Sequence, residues 1–368
     1  MRDDTNIRVS GSRLQAVAAL GQQIWLDNLS RGLLQSGELA RWIEEDGIAG
    51  VTSNPAIFYN AIRNDAAYQA ELPRLQAAHP ELESRFEHLV LPDVQAACDL
   101  LAAVYQGSQG KAGFVSFEVS PRLAHDAAGT VAAARRLWQE IARPNAMIKI
   151  PATAAGILAL EEVIYAGINV NVTLIFGAGQ LAKVQAAYLH GLQRRADAGL
   201  PLAHIASVAS VFISRIDVVV DKQLAELADA SLQDLAGKAA IAAAKLAYSN
   251  WQQGVQDGFA ALAQAGAQPQ RLLWASTGTK NPALRDVLYV EQLIGKDTVN
   301  TVPDATLAAF CDHGEAHETL TADVHEAQQV LGQLHDKGIL LEQIGEDLLQ
   351  AGLQQFEDAY ANLLALLK

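Results

Sequence analysis

Short apolar segments rich in β-branched residues alternate along this chain with longer segments rich in alanine and leucine. The short segments have the length and composition of strands, and sequence that favours a helix follows each of them. The pattern therefore predicts strands at Gln23–Leu29, Gly47–Thr52, Gly113–Val119, Ala146–Ile150, Ile168–Ile175, Ile205–Phe212, Arg271–Ser276 and Thr298–Val302.

The predicted strands are apolar along their length rather than at alternate positions. Continuous apolar runs are typical of parallel strands that crossover helices cover. An open, doubly wound sheet is the alternative, but no GxGxxG follows the first strand and no GxxxxGK[ST] occurs. The pattern favours a fold in the α/β class, a single (β/α)8 TIM barrel.

Two further segments are predicted to be helical. One, from Tyr59 to Gln109, lies between the second and third strands, and the other is the tail from Thr319 to Lys368, which reads as helix throughout. Apolar residues recur along the tail, as expected for helices that pack on the barrel. Because no linker or internal repeat is evident, residues 1–368 are expected to form one domain.

Composition excludes several classes of protein. The chain has 41 acidic and 27 basic residues, a net charge of −14, and no strongly basic stretch, which disfavours nucleic-acid binding. It has no uninterrupted apolar run of about 18 residues, so no membrane-spanning helix is predicted. The first residues, MRDDTNIRVSGSRL, resemble neither a secretory signal nor a transit peptide, and a cytoplasmic location is expected.

Neither the cysteines nor the histidines indicate a metal site. Cys98 and Cys311 lie far apart without a CxxC partner, so both are expected to be reduced thiols. His313 and His317 stand four residues apart and would share one face of a helix. There is no HExxH motif and no evident third ligand, so metal binding is not expected.

Polar residues interrupt the predicted strands near their carboxyl ends, where parallel barrels carry their active sites. Such groups destabilise an apolar interior unless they are paired or used. Their recurrence predicts an active site at this face of the barrel, with these candidates: Asp27, Asn54, Glu118, Lys149, Asn171 and Thr173.

Lys149 is the most informative of these residues. The alternation of a strand directs it away from Ile148 and Ile150, into the barrel mouth. Removal from water favours the neutral amine, the nucleophile that forms a Schiff base with a carbonyl substrate. The alternatives are a lysine paired with a carboxylate to hold the core, and a lysine that extends its amine to solvent from the strand end.

Five motifs in order carry a resemblance to a known family: GVTSNPAIF, FEVSP, MIKIPAT, GINVNVTLIF and WASTGTKNP. Together they resemble the transaldolases, specifically their longer bacterial subgroup, from Trp25 to about Gly314. The resemblance implies a class I, Schiff-base barrel enzyme of the pentose phosphate pathway. Such enzymes transfer a dihydroxyacetone unit, so that sedoheptulose 7-phosphate and glyceraldehyde 3-phosphate exchange with erythrose 4-phosphate and fructose 6-phosphate. No metal or organic cofactor is implied, because the imine is the electron sink.

The resemblance also implies a role for each residue at the strand ends. Lys149 matches the Schiff-base lysine, and Asp27 matches the carboxylate that takes the proton of the C4 hydroxyl. Glu118 and Thr173 match the pair that holds a proton-relaying water, and Asn54 and Asn171 match amides that bind the three-carbon unit. From the residues alone, Asp27 could instead be a carboxylate at a helix N-terminus, and Asn54 before Pro55 could be a helix cap.

The phosphate of the substrate requires fixed positive charge and further donors. In SVASVFISR, Ser210 and Arg215 match the family's phosphate-site positions and Phe212 matches its conspicuous aromatic residue. The common pattern is SPFVGR, so Val211 replaces a proline and Ser214 replaces a glycine, which changes the local loop. Many members carry a second arginine after the seventh strand, where Ser276 and Lys280 are expected to complete this site instead.

Two other functions remain open at this point. A close relative cleaves fructose 6-phosphate as a free aldolase, but that shorter sister group has a tyrosine in place of Phe212. A barrel that only senses or scaffolds sugar phosphates would lack catalytic groups that are present here. The expected partners are sugar-phosphate substrates rather than nucleic acid or membranes, and the chain is expected to be a monomer or a homodimer.

Overall fold

The structure is a computed structural model that describes residues 12–227 and 230–368; residues 1–11, most of the segment assessed for a targeting signal, lie outside the described residues. Eight parallel strands close into a barrel in chain order, with β8 paired to β1. The strands are β1 (Gln22–Leu26), β2 (Gly50–Thr52), β3 (Phe114–Glu118), β4 (Ala146–Pro151), β5 (Val170–Ile175), β6 (Ser207–Phe212), β7 (Arg271–Ala275) and β8 (Thr298–Val302).

Helices connect the strands and cover the barrel. Within the described residues they are α1 (Arg13–Ala19), α2 (Arg31–Gln35), α3 (Glu38–Arg41), α4 (Pro55–Asn64), α5 (Ala66–Ala78), α6 (Leu82–Leu100), α7 (Ala102–Gly107), α8 (Ala127–Ile141), α9 (Ala154–Tyr165), α10 (Ala178–Asp197), α11 (Ser214–Leu227), α12 (Ala239–Gly258), α13 (Ala260–Gln264), α14 (Leu288–Gln292), α15 (Asp304–His313), α16 (Val324–Asp336) and α17 (Leu341–Leu366). A π-helical turn (Trp42–Asp46) and two 3-10 turns (Pro121–Leu123 and Ala230–Leu235) complete them. None of the described helices is long and apolar enough to span a membrane.

The predicted (β/α)8 barrel is confirmed, and each predicted strand overlaps an observed one. The boundaries differ where turn chemistry competes with the apolar pattern. The first strand stops at Leu26 rather than Leu29, because Ser30 already caps α2 by accepting a hydrogen bond from the Leu33 amide at 3.1 Å. The second strand starts at Gly50 rather than Gly47, because Gly47 has a left-handed conformation with φ 78°.

The C-terminal tail is helical, as predicted, and consists of two helices, α16 and α17, with residues 319–323 and 337–340 outside them. Gly338, with φ 79°, lies in the turn that separates them. From there α17 crosses the face of the barrel where the strands end, and its Phe356 lines the cavity at the barrel mouth. The tail therefore contributes directly to the site that the strand ends form.

Candidate active site

A cavity of about 180 Å³ lies at the carboxyl ends of the strands. Parallel strands in a closed barrel all end at the same face, which brings residues from distant parts of the chain together. The cavity is lined by Asp27, Thr52, Asn54, Lys149, Thr173, Ser210, Phe212, Arg215, Ala275, Ser276, Gly278, Lys280, Thr301, Pro303 and Phe356. Most of the residues predicted from the sequence meet here, and Glu118 and Asn171 lie beside them rather than on the cavity wall.

Lys149 lies in β4 and is only 5% exposed. Its Nζ donates a hydrogen bond to the backbone oxygen of Ser53 at 3.1 Å and lies 3.7 Å from Glu118 Oε2. Glu118 is the residue of β3 that stands beside Lys149 in the parallel register. The amine is thus held against a carboxylate inside the barrel mouth, and it does not extend to solvent.

Glu118 and Thr173 both keep unused hydrogen-bonding capacity. Glu118 Oε2 and Thr173 Oγ1 are buried, and neither has a hydrogen-bond partner among the described residues. Burial raises the pKa of Glu118 to about 7, although the nearby Lys149 opposes that shift. A carboxyl group with this pKa exchanges its proton readily at neutral pH, as an acid–base group requires.

Asp27 follows the last residue of β1 and lines the cavity. Its Oδ1 accepts a hydrogen bond from Thr52 Oγ1 at 2.7 Å, and the Thr52 hydroxyl lies 2.6 Å from that of Thr301. Burial raises the pKa of Asp27 above its usual range, whereas Lys149 and the Thr52 hydrogen bond lower it. Because Ser30 caps α2, Asp27 does not serve as a helix cap.

Thr52 and Thr301 also line the cavity, but the sequence patterns did not predict them as site residues. Both stand at the ends of strands, as the other candidates do, so the rule that identified Asp27 and Lys149 could also have identified them. Threonine is common in strands, however, so it indicates a functional site only when its hydrogen-bond partner is known.

The two candidate amides have different environments. Asn54 caps α4, with its Oδ1 accepting from the Ile57 amide at 3.0 Å, and it also lines the cavity, so structural and binding roles are compatible. Asn171 donates to Ser116 Oγ at 3.0 Å and accepts from Ser210 Oγ at 2.7 Å. Both ends of the Asn171 amide are thereby used, and of this pair it is Ser210 that reaches the cavity.

Arg215, at the start of α11, is a cation without a carboxylate partner among the described residues. Its guanidinium lies 5.3 Å from the centre of the Phe212 ring, and partial burial lowers its pKa. Phe212 packs in turn on Phe176, with the ring centres 5.2 Å apart. An uncompensated guanidinium held over an aromatic ring at a cavity wall is suited to bind an anion.

Ser276 and Lys280 lie on the loop after β7. The Ser276 hydroxyl is 2.9 Å from that of Ser214, which joins this loop to the start of α11 beside Arg215. The serine that replaces the usual glycine thus has a partner, and Arg215 still lines the cavity. Ser276 has a left-handed backbone with φ 57°, and Leu174 within β5 has φ 60°. Such strained residues are typical of functional sites.

His313 and His317 do not share a helix face, because α15 ends at His313. His313 Nε2 lies 2.8 Å from Asp286 and His317 Nε2 lies 3.8 Å from Glu315. In residues 12–227 and 230–368, no three His, Cys, Asp or Glu side chains are grouped to hold a metal ion.

Comparisons with known proteins agree with the motifs. The family model described as "Transaldolase/Fructose-6-phosphate aldolase" matches residues 24–367. A transaldolase of Thiobacillus denitrificans is 49% identical over 350 residues, which are 95% of this chain and 98% of the relative. A transaldolase of Neisseria gonorrhoeae is 52% identical over 353 residues, which are 96% of this chain and 98% of the relative. Transaldolase 1 of Streptomyces coelicolor is 46% identical over 363 residues, which are 98% of this chain and 95% of the relative.

The chain has the fold of the (β/α)8 barrel enzymes, and the relatives that it matches are transferases. The chain belongs to the transaldolase/fructose-6-phosphate aldolase family, as the family model and these relatives show.

Proposed function

We propose that this protein is a transaldolase that transfers a dihydroxyacetone unit between sugar phosphates through an imine on Lys149. The activity is supported by the family and by relatives named transaldolase over nearly the whole chain. The observation that carries the residue assignment is a buried lysine amine 3.7 Å from Glu118 in a cavity that also holds Asp27 and Arg215.

The first half of the reaction forms the imine. The neutral amine of Lys149 attacks the C2 carbonyl of fructose 6-phosphate or sedoheptulose 7-phosphate, and a proton passes from nitrogen to oxygen to give a carbinolamine. Glu118 protonates the departing hydroxyl through the water that it and Thr173 hold, and a water molecule leaves. The unpaired oxygens of Glu118 and Thr173 support this relay.

The second half transfers the three-carbon unit. Asp27 takes the proton of the C4 hydroxyl, the C3–C4 bond breaks, and its electrons pass to the imine nitrogen to form an enamine. The aldose phosphate leaves and the acceptor enters. The enamine carbon then attacks the acceptor aldehyde, Asp27 returns the proton to the new hydroxyl, and hydrolysis of the imine releases the product.

The other residues bind and orient the substrate. Asn54 and Ser210 line the cavity beside Lys149 and hold the hydroxyls of the three-carbon unit. For Ser210 this proposed role replaces the phosphate contact that the motif implied, because Asn171 positions its hydroxyl through their hydrogen bond of 2.7 Å. Arg215, Ser276 and Lys280 bind the phosphate, with Phe212 as the support for the guanidinium.

Borohydride trapping with fructose 6-phosphate tests this function. We expect a reduced three-carbon adduct on the peptide that contains Lys149, and turnover that depends on erythrose 4-phosphate as acceptor. Comparable turnover without acceptor would favour a free aldolase, and absence of any adduct would favour a protein that only binds sugar phosphates.

The Glu118 carboxyl is expected to give imine formation a characteristic pH dependence. Its pKa of about 7 means that the proton donor is present below pH 7 and is lost as the pH rises through that value. Glu118→Gln should lower the rate of imine formation by about 10²- to 10⁴-fold and remove this limb of the profile. Stopped-flow or quench trapping across pH 6 to 9 measures both, and an unchanged limb in the variant would assign it to another group.

Arg215→Ala should weaken the binding of phosphorylated substrates. Loss of a charged hydrogen-bonding partner costs about 1.5–3 kcal/mol, which corresponds to a KM about 10- to 100-fold higher. Steady-state kinetics with fructose 6-phosphate measure the effect, with Arg136→Ala, a surface arginine paired with Glu87, as the matched control. An unchanged KM would contradict the role given to Arg215.

We also propose the setting in which the enzyme works. The described tail and the helices after β2 pack on barrel elements, which supports one domain for the whole chain. Cys98 and Cys311 are both free, which supports a reducing compartment, the cytoplasm. We propose a monomer or a homodimer as the active form, since Asp27, Lys149 and Thr173 of a single chain line one cavity.

A further inference from the structure

The C-terminal helix α17 crosses the barrel mouth and is attached near both ends. Near its start, the carboxylate of Glu342 accepts from the Ala178 amide of α10 at 2.9 Å. Just beyond its end, the backbone oxygen of Leu367 accepts a hydrogen bond from the Arg85 guanidinium. At about 1.5 Å per residue, a helix of this length is long enough to span the face of a barrel.

The middle of α17 lies directly on the active site. A Cβ atom placed on Gly352 would lie 3.0 Å from Leu174 Cδ2 and 3.6 Å from Arg215 Nη1, so the helix backbone approaches the barrel closely at this point. One turn later, Phe356 lines the cavity and is only 7% exposed, and the centre of its ring lies 5.9 Å from Lys149 Nζ.

A transferase that holds a covalent three-carbon unit must protect it until the acceptor arrives. The enamine has two fates: attack on an aldehyde, or protonation at the enamine carbon followed by hydrolysis. In the second, water adds at C2, a proton moves to nitrogen, the C–N bond breaks, and dihydroxyacetone leaves with the Lys149 amine restored. Premature loss therefore needs a proton and a water molecule from solvent at the exposed side of the lysine.

From these contacts we infer that Phe356 is a specificity-determining residue, whose ring shields the lysine-bound three-carbon unit from solvent and so favours transfer over hydrolysis. Normal turnover also ends in hydrolysis of the imine. In the proposed mechanism the water for that step is held on the side of Lys149 where Glu118 lies. The aromatic ring approaches the amine from α17 instead, and it brings no proton donor of its own. The inference rests on the proposed imine mechanism and adds a function for the tail.

The test compares acceptor-free release of dihydroxyacetone from fructose 6-phosphate with transfer to erythrose 4-phosphate. Phe356→Ala should raise the ratio of hydrolysis to transfer about tenfold, because water enters the space of the ring. Phe356→Val, a smaller change that keeps an apolar side chain, should raise it about threefold. The matched control is Leu363→Ala, which removes a fully buried side chain from the same helix two turns further on.

The outcomes separate this inference from the proposed function. Wild-type protein that gives no borohydride adduct would refute the imine mechanism itself. If the wild type transfers and traps normally, an unchanged ratio in Phe356→Val, or in a folded Phe356→Ala, would refute the shielding role alone. An equal rise in Leu363→Ala would also refute it, because general loosening of α17 would then explain the effect.

Discussion

Replacement of Lys149 by alanine is expected to abolish turnover and borohydride trapping together. In the proposed mechanism the Lys149 amine forms the bond to the substrate. Among the described residues, no other lysine forms an ion pair with Glu118. Loss of a covalent nucleophile removes the whole pathway, so we expect kcat to fall by about 10⁴-fold or more. A coupled assay with fructose 6-phosphate and erythrose 4-phosphate measures turnover, and mass mapping after reduction measures the adduct.

Lys149→Arg separates chemistry from charge. It keeps a cation near Glu118 but offers no nucleophile, so it should be as inactive as the alanine variant while retaining more of the folded stability. The control is Lys111→Ala on the surface, which should leave both assays unchanged. An adduct on any other residue of the Lys149→Ala variant would show that the nucleophile is assigned wrongly.

Asp27→Asn is expected to stop cleavage of the carbon–carbon bond while leaving imine formation intact. Asparagine still accepts the hydrogen bond from Thr52 but takes no proton from the C4 hydroxyl, so transfer should fall by about 10²- to 10⁴-fold. Trapping with fructose 6-phosphate should then yield the intact six-carbon adduct instead of the three-carbon one.

Asp304→Asn is the matched control for this prediction. Asp304 is a nearby carboxylate that raises the pKa of Asp27, and its Oδ2 accepts from Asn28 at 2.8 Å. Its loss should change transfer by no more than about threefold, since an exposed charge acts only weakly on its neighbours. If Asp27→Asn cleaved the sugar normally, the proton acceptor would have to be another group, and the accumulated adduct would be absent.

Much of the site was predicted from local sequence because polar residues stand out in apolar strands. Glu118, Lys149 and Thr173 lie in strands whose positions the apolar pattern defined, and the parallel arrangement places all strand ends at one face. The predicted strand boundaries were less accurate. Ser30 caps α2, so the first strand ends early, and Gly47 has a left-handed conformation, so the second strand begins late. Those effects involve one or two residues and are weak in a hydrophobic pattern.

The environments of the same residues required the folded molecule. The pKa of Glu118, raised to about 7, results from burial, which outweighs the opposing effect of Lys149 on the neighbouring strand. The two hydrogen bonds of Asn171 go to side chains of β3 and β6, and they place Ser210 rather than Asn171 at the cavity. The sequence contains these residues but not the distances between them.

The sequence by itself determined the barrel and indicated the residues that we propose as reacting groups, since periodicity and the order of motifs are properties of neighbouring residues. Only the tertiary structure decided that Thr52 donates to Asp27 and that α17 lies over the mouth with Phe356 facing Lys149. The physical reason is that such contacts join residues far apart in the chain. Their energy comes from burial and geometry, which exist only once the barrel has closed.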